Sequence, residues 1–546
     1  MLQFILGRSG FGKTSYIYGK IKEMVLSGND KIIMLVPDQS TFETEKALFE
    51  LLGAKNSKNV SVFGFLSLCR SVFEQTSHLP KNVIDDGTRS VIMSLALEQL
   101  SGKLTLLSED KNKGISDLMI ATLKECKKSS VTTDMLRAAA DNIDDETVKT
   151  KLNEAALIFD SFDAIVSQSY IDPLDDLDRV HNILLENNNI FNGYTLFVDS
   201  FSGFTAQQLK LIRLLMGRCN ETYIALTLDP EQTGEEEVFA TCNDTYKRLK
   251  AIANKDFINI KAPVKLNECT RFKNNELKTL EAFAFRNRKP ETPYPETPEN
   301  VSIYQASDAY DECEYIARQI KHLIIDKGYL YSDISVICHE TDNYNGILDV
   351  IFEKYDIPYF MDSRKDADIK PVIRFVNSVF RIILDNFERE DILSLLKTRL
   401  TANSSDEIND FEGYAYIWNI NNSGFKNEFT QNPSGFSEKF SKADEKALKS
   451  AEKVRRSVVE PLLKFKNDIK DKTGKEISTL LYRLLEDMGV PDALRRLYDE
   501  FSALNEDDYA AEQIRVWELL MDALDKTVAV IGDNILSAKR YYELLS

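Results

Sequence analysis

Eight residues near the start of the chain, Gly7-Arg8-Ser9-Gly10-Phe11-Gly12-Lys13-Thr14, have the types and spacing of a phosphate-binding loop. The glycines let the backbone turn so that consecutive N–H groups converge on phosphate oxygens. Lys13 is placed to reach the outer phosphates, and the Thr14 hydroxyl to hold magnesium. The N-terminus of a following helix adds partial positive charge at the same spot. The chemistry implied is the binding of ATP with magnesium. Asp199 closes the apolar run Tyr194–Val198 and suits a second magnesium anchor, or else caps a helix. The residues after it are Ser200-Phe201-Ser202-Gly203-Phe204, so the carboxylate that would polarise an attacking water is missing. No catalytic residue is assigned, and hydrolysis is expected to be slowed by about two to four powers of ten.

The elements around these residues are legible. Leu2–Leu6 reads as a buried strand and Ser15–Val25 as a helix, the context a phosphate loop needs. Further strands are expected at Lys31–Val36, closed by Pro37-Asp38-Gln39, at Val60–Phe63, at Tyr194–Val198 and at Thr222–Leu228. Strands alternating with helices predict a parallel sheet with right-handed crossovers. Residues 85–189 carry helical periodicity alone, as in the stripe Leu152, Ala155, Ala156, Phe159 and Phe162. The first α/β domain is thus split, 1–84 and 190–285, around a helical insertion at 85–189. A linker at 286–299 has four prolines between Pro290 and Pro298. A second α/β domain is expected over 300–370, with strands Val301–Gln305, Asp333–His339 and Pro358–Asp362 and a helix Asp311–Asp326. Residues 371–546 read as a second helical insertion.

Two α/β units, each interrupted by helices, match the plan of a superfamily 1 helicase core. The expected fold is α/β, with P-loop RecA-like domains and large all-helical insertions. The second RecA-like domain is incomplete, and the strands that finish it are expected beyond Ser546. Such a core takes an arginine from its second unit against the γ-phosphate. Here His339 stands where that arginine is expected, and Arg374 reads as a helix residue. No residue upstream of the loop is available to read adenine.

The net charge of −19 argues against nonspecific coating of nucleic acid, while leaving room for a local basic channel. The acidic stretch Asp229–Glu237 reads as a solvated turn. No apolar run reaches transmembrane length, and Met1–Leu6 is too short for a signal peptide, so no membrane partner and a cytoplasmic location are expected. The seven cysteines are scattered and the four histidines lie at no metal spacing, so no zinc or iron–sulfur site is expected within the chain.

An ordered set of motifs carries a more specific resemblance. After the phosphate loop come Leu35-Val-Pro-Asp-Gln39 with Thr41-Phe42, and Phe63-Gly-Phe-Leu-Ser-Leu68. Then follow Tyr170-Ile-Asp172, Val198-Asp-Ser-Phe201 with Gly203-Phe-Thr205, Ile357–Asp362, and Gly489-Val-Pro491. Together they resemble the AddB family, the second component of the bacterial ATP-dependent helicase/deoxyribonuclease. The resemblance implies a pseudo-helicase that pairs with an AddA-type motor as a heterodimer at double-strand break ends. It implies a surveying of single-stranded DNA for a Chi-type sequence, in recombinational repair. It also implies a nuclease domain stapled by a 4Fe-4S cluster, expected only outside this chain. Two departures stand out. Ser200 replaces the usual Gly, which is expected to be harmless, and Phe11 puts a bulky ring where a small residue is common.

In such folds the loops after the second and third strands face nucleic acid. Gln39, Thr41 and Phe42 sit in the former, Phe63 and Phe65 in the latter. Amides and hydroxyls bond phosphates, and rings stack on bases. The phenylalanines could equally pack helices onto the sheet. Other classes compatible with the loop are an active superfamily 1 helicase or translocase, a small-molecule kinase, and a nucleotide-binding scaffold.

Overall fold

The computed structural model describes residues 1–108, 114–229, 237–284, 294–295, 297–361, 370–436 and 439–545. Most of the Pro-rich linker, residues 230–236 of the acidic stretch, and Asp362 lie outside the described residues. The chain divides into two units, Met1–Ser302 and Ile303–Ser546.

The first unit is built on β1 (Leu2–Gly7), α1 (Lys13–Leu26), β2 (Ile32–Leu35), α2 (Thr41–Asn56), β3 (Val60–Phe63) and α3 (Phe65–Thr76). Helices α4 (Asp86–Gln99), α5 (Ile115–Lys128), α6 (Thr133–Asp141), α7 (Glu146–Ser169) and α8 (Asp176–Glu186) follow. The chain then returns as β4 (Thr195–Val198), α9 (Ala206–Arg218), β5 (Glu221–Thr227), α10 (Ala240–Lys255), β6 (Val264–Leu266) and α11 (Asn275–Phe283). The six strands form one parallel sheet in the order β3-β2-β4-β5-β1-β6. The short edge strand β6 has no counterpart in the sequence reading. Three residues carry too little alternation to signal a strand, and this one exists through its pairing with β1.

Side chains alternate across the sheet, and both faces are covered, so the strands read as continuous apolar runs. Leu2, Phe4, Leu6, Ile33, Leu35, Leu196 and Val198 pack under α3, α8, α9 and α10. Ile5, Ile32, Met34, Val62, Phe197 and Tyr223 pack under α1 and α2, with the last two rings stacked at 4.9 Å. The helical region is held by a buried ion cluster. Arg89 bonds Asp172 at 2.8 Å, and Lys127 bonds Asp172 at 3.2 Å and Asp175 at 2.7 Å. The Glu154 carboxylate accepts the N–H groups of Thr105, Leu106 and Leu107, tying that loop to α7.

The second unit contains α12 (Ala309–Lys327) and α13 (Leu348–Lys354), packed around Cys313, Ala317, Ile320, Ile351, Phe352 and Ile357. The strands expected at 301–305, 333–339 and 358–362 are a correction. Their described residues are not in strand pairs, and Ile303, Ile337 and Phe360 are 96%, 93% and 93% exposed. A strand exists through its neighbour's hydrogen bonds, and among the described residues no neighbour is present. Among the described residues, nine helices and a two-residue-per-strand ladder make up the rest. They are α14 (Pro371–Leu384), α15 (Arg389–Lys397), α16 (Ser405–Ile417), α17 (Lys442–Val454), α18 (Glu460–Asp468), β7 (Lys472–Thr473), α19 (Gly474–Asp487), α20 (Val490–Ala503), α21 (Asp507–Ile531), β8 (Ile535–Leu536) and, last, α22 (Ala538–Leu545). One π-helical turn, Arg455–Val459, joins α17 to α18. Their shared core includes Phe375, Phe380, Phe411, Phe425 and Tyr541.

Candidate nucleotide site

The phosphate loop leaves the carboxyl end of β1, and Asp199 leaves the carboxyl end of β4, two strands away with β5 between them. Open parallel sheets gather ligands at this edge, where the order of connection reverses. The Asp199 N–H still bonds Leu35 O at 3.0 Å, which fixes the residue against β2. Across 185 residues of sequence, the Thr14 hydroxyl donates to the Asp199 carboxylate at 2.7 Å. Two hard oxygen donors are thus side by side at the mouth of α1, the donor type that magnesium takes.

The loop opens on a cavity of about 400 Å³ lined by Ser9, Gly10, Gly12, Lys13, Thr14 and Asp199. Gly7, Arg8 and Phe11 do not line it. Phe11 is 4% exposed and turned into the protein, where the Arg8 guanidinium lies 4.6 Å from its ring. Arg8 also pairs with Glu281 of α11 at 3.1 Å. The bulky ring therefore packs behind the loop and leaves the cavity side clear.

Residues the sequence reading missed complete the lining: Ser15, Ser200, Phe201, Ala225, Thr227, Thr270 and Arg271. The Gly10 carbonyl accepts from Thr270 N at 2.9 Å, Thr270 Oγ1 at 3.0 Å and Arg271 N at 3.1 Å. Gly10 adopts φ +81°, and a Cβ there would meet Arg271 Cβ at 2.9 Å, so this position takes glycine for two reasons. The signal for Arg271 was weak: a lone arginine between a three-residue strand and a helix.

Lys13 donates to the carbonyls of Gly7 and Arg8, both at 2.9 Å. Burial pushes its ammonium below the ordinary lysine range, against the pull of Asp199. Nearby Arg271 adds to the downward push. Asp199 is 2% exposed, and burial raises its carboxyl above the usual range despite the Thr14 hydroxyl, the Ser200 N–H and Lys13. Both shifts come from burial, and a buried ammonium beside a buried hydroxyl–carboxylate pair suits an incoming polyanion with a cation. Ser200 corrects one expectation. It sits at φ +67°, in the left-handed region, so a serine there is strained where glycine is not.

The nucleic-acid candidates separate. Gln39 is exposed, Phe42 is 74% exposed, and Thr41 is half-buried with its hydroxyl donating to Asp38 O at 2.9 Å. Phe63 is half-buried against the sheet core. Phe65 is 4% exposed and packs edge-on against Phe201 and Phe204 at 5.6 and 6.4 Å. Its ring belongs to the core and presents no open face for a base. In the second unit, His339 is exposed beside Glu340, and Arg374 lies on α14. The described cysteines are free thiols, and among the described residues no group of His, Cys, Asp and Glu gathers to hold a metal. Among them, too, no helix is long and apolar enough to cross a membrane.

Comparison with known proteins finds relatives along the whole chain. The chain is 30% identical over 565 aligned positions to the B subunit of the ATP-dependent helicase/deoxyribonuclease of Clostridium perfringens (strain 13 / Type A). It is 31% identical over 555 to the same-named protein of Caldanaerobacter subterraneus subsp. tengcongensis, and 28% over 557 to that of Clostridium acetobutylicum. Each alignment covers all of this chain and 48% of the relative, so the chain spans about half the length of the curated relatives it matches. The family model described as "ADDB, N-terminal" matches residues 4–281, from β1 through α11, and the chain belongs to the AddB family.

Proposed function

We propose that this chain is the ATP-binding, helicase-like part of the B subunit of an ATP-dependent helicase/deoxyribonuclease that processes double-strand breaks. The observation that carries the reading is the meeting of Thr14 with Asp199 at 2.7 Å, beside Lys13 and Arg271 on one cavity. In this reading the N-terminus of α1 and the loop amides bind the β- and γ-phosphates. Lys13 leaves the loop carbonyls to face them, and Arg271 adds a second cation. Thr14 and Asp199 would hold magnesium, which supplies charge neutralisation at the phosphates when bound. Among the described lining residues Asp199 is the one carboxylate, and it is committed to Thr14. No residue there is left to polarise water, which supports binding with little turnover.

The split sheet supports a RecA-like first lobe at 1–84 and 190–285, interrupted at 85–189. The unpaired apolar segments between 301 and 361 fit an incomplete second lobe, followed by helices from 371. Single-stranded DNA is assigned to the exposed carboxyl-end loops, with Gln39 and Thr41 on phosphates and Phe42 stacking on a base. A Chi-type sequence is the proposed target of that surface, and an AddA-type motor the proposed partner.

The test is equilibrium nucleotide binding and steady-state ATP hydrolysis by this chain, with and without single-stranded DNA. Magnesium-ATP is expected to bind, Lys13→Ala to weaken it about 10- to 100-fold, and turnover to stay negligible. Brisk hydrolysis by the chain alone, or equal binding by Lys13→Ala, would refute the proposal.

A further inference from the structure

Helix α17 carries Lys442, Lys446, Lys449 and Lys453 at intervals of four, three and four residues. That spacing confines them to one narrow stripe, with axial steps of about 4.5–6 Å. The four line a groove of about 330 Å³ together with Glu407, Glu445 and Ser450. Lys442, Lys446 and Lys449 are in no ion pair with a described residue, so their ammonium groups are open to a partner.

Of the helix's own three acids, Glu445 lines the groove and the other two are engaged elsewhere. Asp444 accepts from the Ser441 N–H at 2.7 Å and from the Ser434 hydroxyl, capping α17. Glu452 bonds Arg455 and Arg456, each at 2.7–2.8 Å, and accepts Phe429 N–H at 3.0 Å. Glu407 is taken by Lys453. Twelve lysines and arginines stand against six carboxylates between residues 439 and 475, so the excess of cation extends along the helix pair. A π-helical turn, an irregularity common at functional sites, closes α17 at Arg455.

We propose that the α17 stripe is a nucleic-acid contact on the second unit, its lysines facing successive backbone phosphates. It goes beyond the loop surface of the first unit, and its choice of polyanion rests on the DNA-processing reading above. Ammonium groups at such spacing neutralise phosphates without reading sequence, so the contact holds a strand in place and sets the salt dependence of binding.

The experiment measures fluorescence-anisotropy binding of this chain to one labelled oligonucleotide, single-stranded and as duplex, across a salt series. The variant is Lys442→Glu/Lys446→Glu/Lys449→Glu. The control is Lys55→Glu/Lys58→Glu/Lys247→Glu, exposed lysines of the first unit with the same change of charge. Loss of three contacts is expected to flatten the log–log salt slope by about 2 on single strands, or almost 3 on duplex. At 0.1 M salt, affinity is expected to fall about a hundredfold for the form that uses the stripe. The control is expected to stay within threefold, and thermal unfolding of both variants to match the wild type. The form losing the steeper slope identifies the source of the phosphates. If the wild type binds and the triple variant keeps its slope, the stripe proposal fails alone and the DNA reading survives. If the wild type binds neither form, both fail.

Discussion

Replacing Gly64 by Ala probes how the two exposed loops of the first unit are locked together. Gly64 precedes α3 with φ −89° and ψ 179°, a conformation open to alanine, so backbone freedom is not the reason for glycine. Contact is the reason. A Cβ at Gly64 would lie 2.0 Å from Asp38 Oδ1 and 2.8 Å from Asp38 Cα. The same carboxylate accepts Leu66 N–H at 3.1 Å, satisfying an amide in the first turn of α3. Alanine must therefore expel the Asp38 side chain and push backbone. Losing the amide's partner costs about 0.5–2 kcal/mol, and overpacking against a main-chain atom adds about 1–3 kcal/mol. The relief from a stiffer unfolded chain returns about 0.4–1 kcal/mol. A net destabilisation of about 1–4 kcal/mol is expected in urea unfolding monitored by circular dichroism. Asp38→Ala alone is expected to cost about 1 kcal/mol. The double variant should fall short of the sum, because the carboxylate's contribution can be lost only once. An alanine variant within about 0.5 kcal/mol of wild type, or strict additivity, would refute the account.

Phe65→Ala is expected to cost about 3–5 kcal/mol in the same unfolding assay, whereas Phe42→Ala should leave stability unchanged and weaken single-stranded DNA binding by about 1–3 kcal/mol. Asp199→Asn is expected to raise stability at neutral pH while weakening magnesium-ATP binding. Burial raises the Asp199 carboxyl above 3.8, so its charged form is disfavoured in the fold; the variant's advantage should be complete above that raised value and vanish as pH falls below about 3.8, read by melting temperature against pH. Glu452 behaves in the opposite sense. Burial pushes it up, but Arg455, the Phe429 N–H and Arg456 outweigh this and hold it at about 2 instead of 4.5. The stability it contributes should be present above pH 4.5 and lost as pH falls toward 2; Glu452→Gln should remove about 1–2 kcal/mol at pH 7 once solvent screening is allowed for.

Local chemistry determined much of this protein in advance. The glycine spacing of residues 7–14, set between an apolar run and a helical one, favours a turn from strand to helix. Strands buried on both faces must be apolar throughout, so β1, β2, β4 and β5 announce themselves within a residue or two. Tertiary structure alone decided the rest, because it depends on which distant backbone comes near. Strand β6 exists through β1, and the apolar runs between 301 and 361 have no strand partner among the described residues. Phe42 and Phe65 look alike in sequence, yet one is 74% exposed and the other 4%, because only the latter meets Phe201 and Phe204. Arg271 reaches the cavity at the Gly7–Thr14 loop through hydrogen bonds to the Gly10 carbonyl, formed across about half the chain's length. Spacing along a chain encodes periodicity and turn geometry; contacts across hundreds of residues arise only when packing closes.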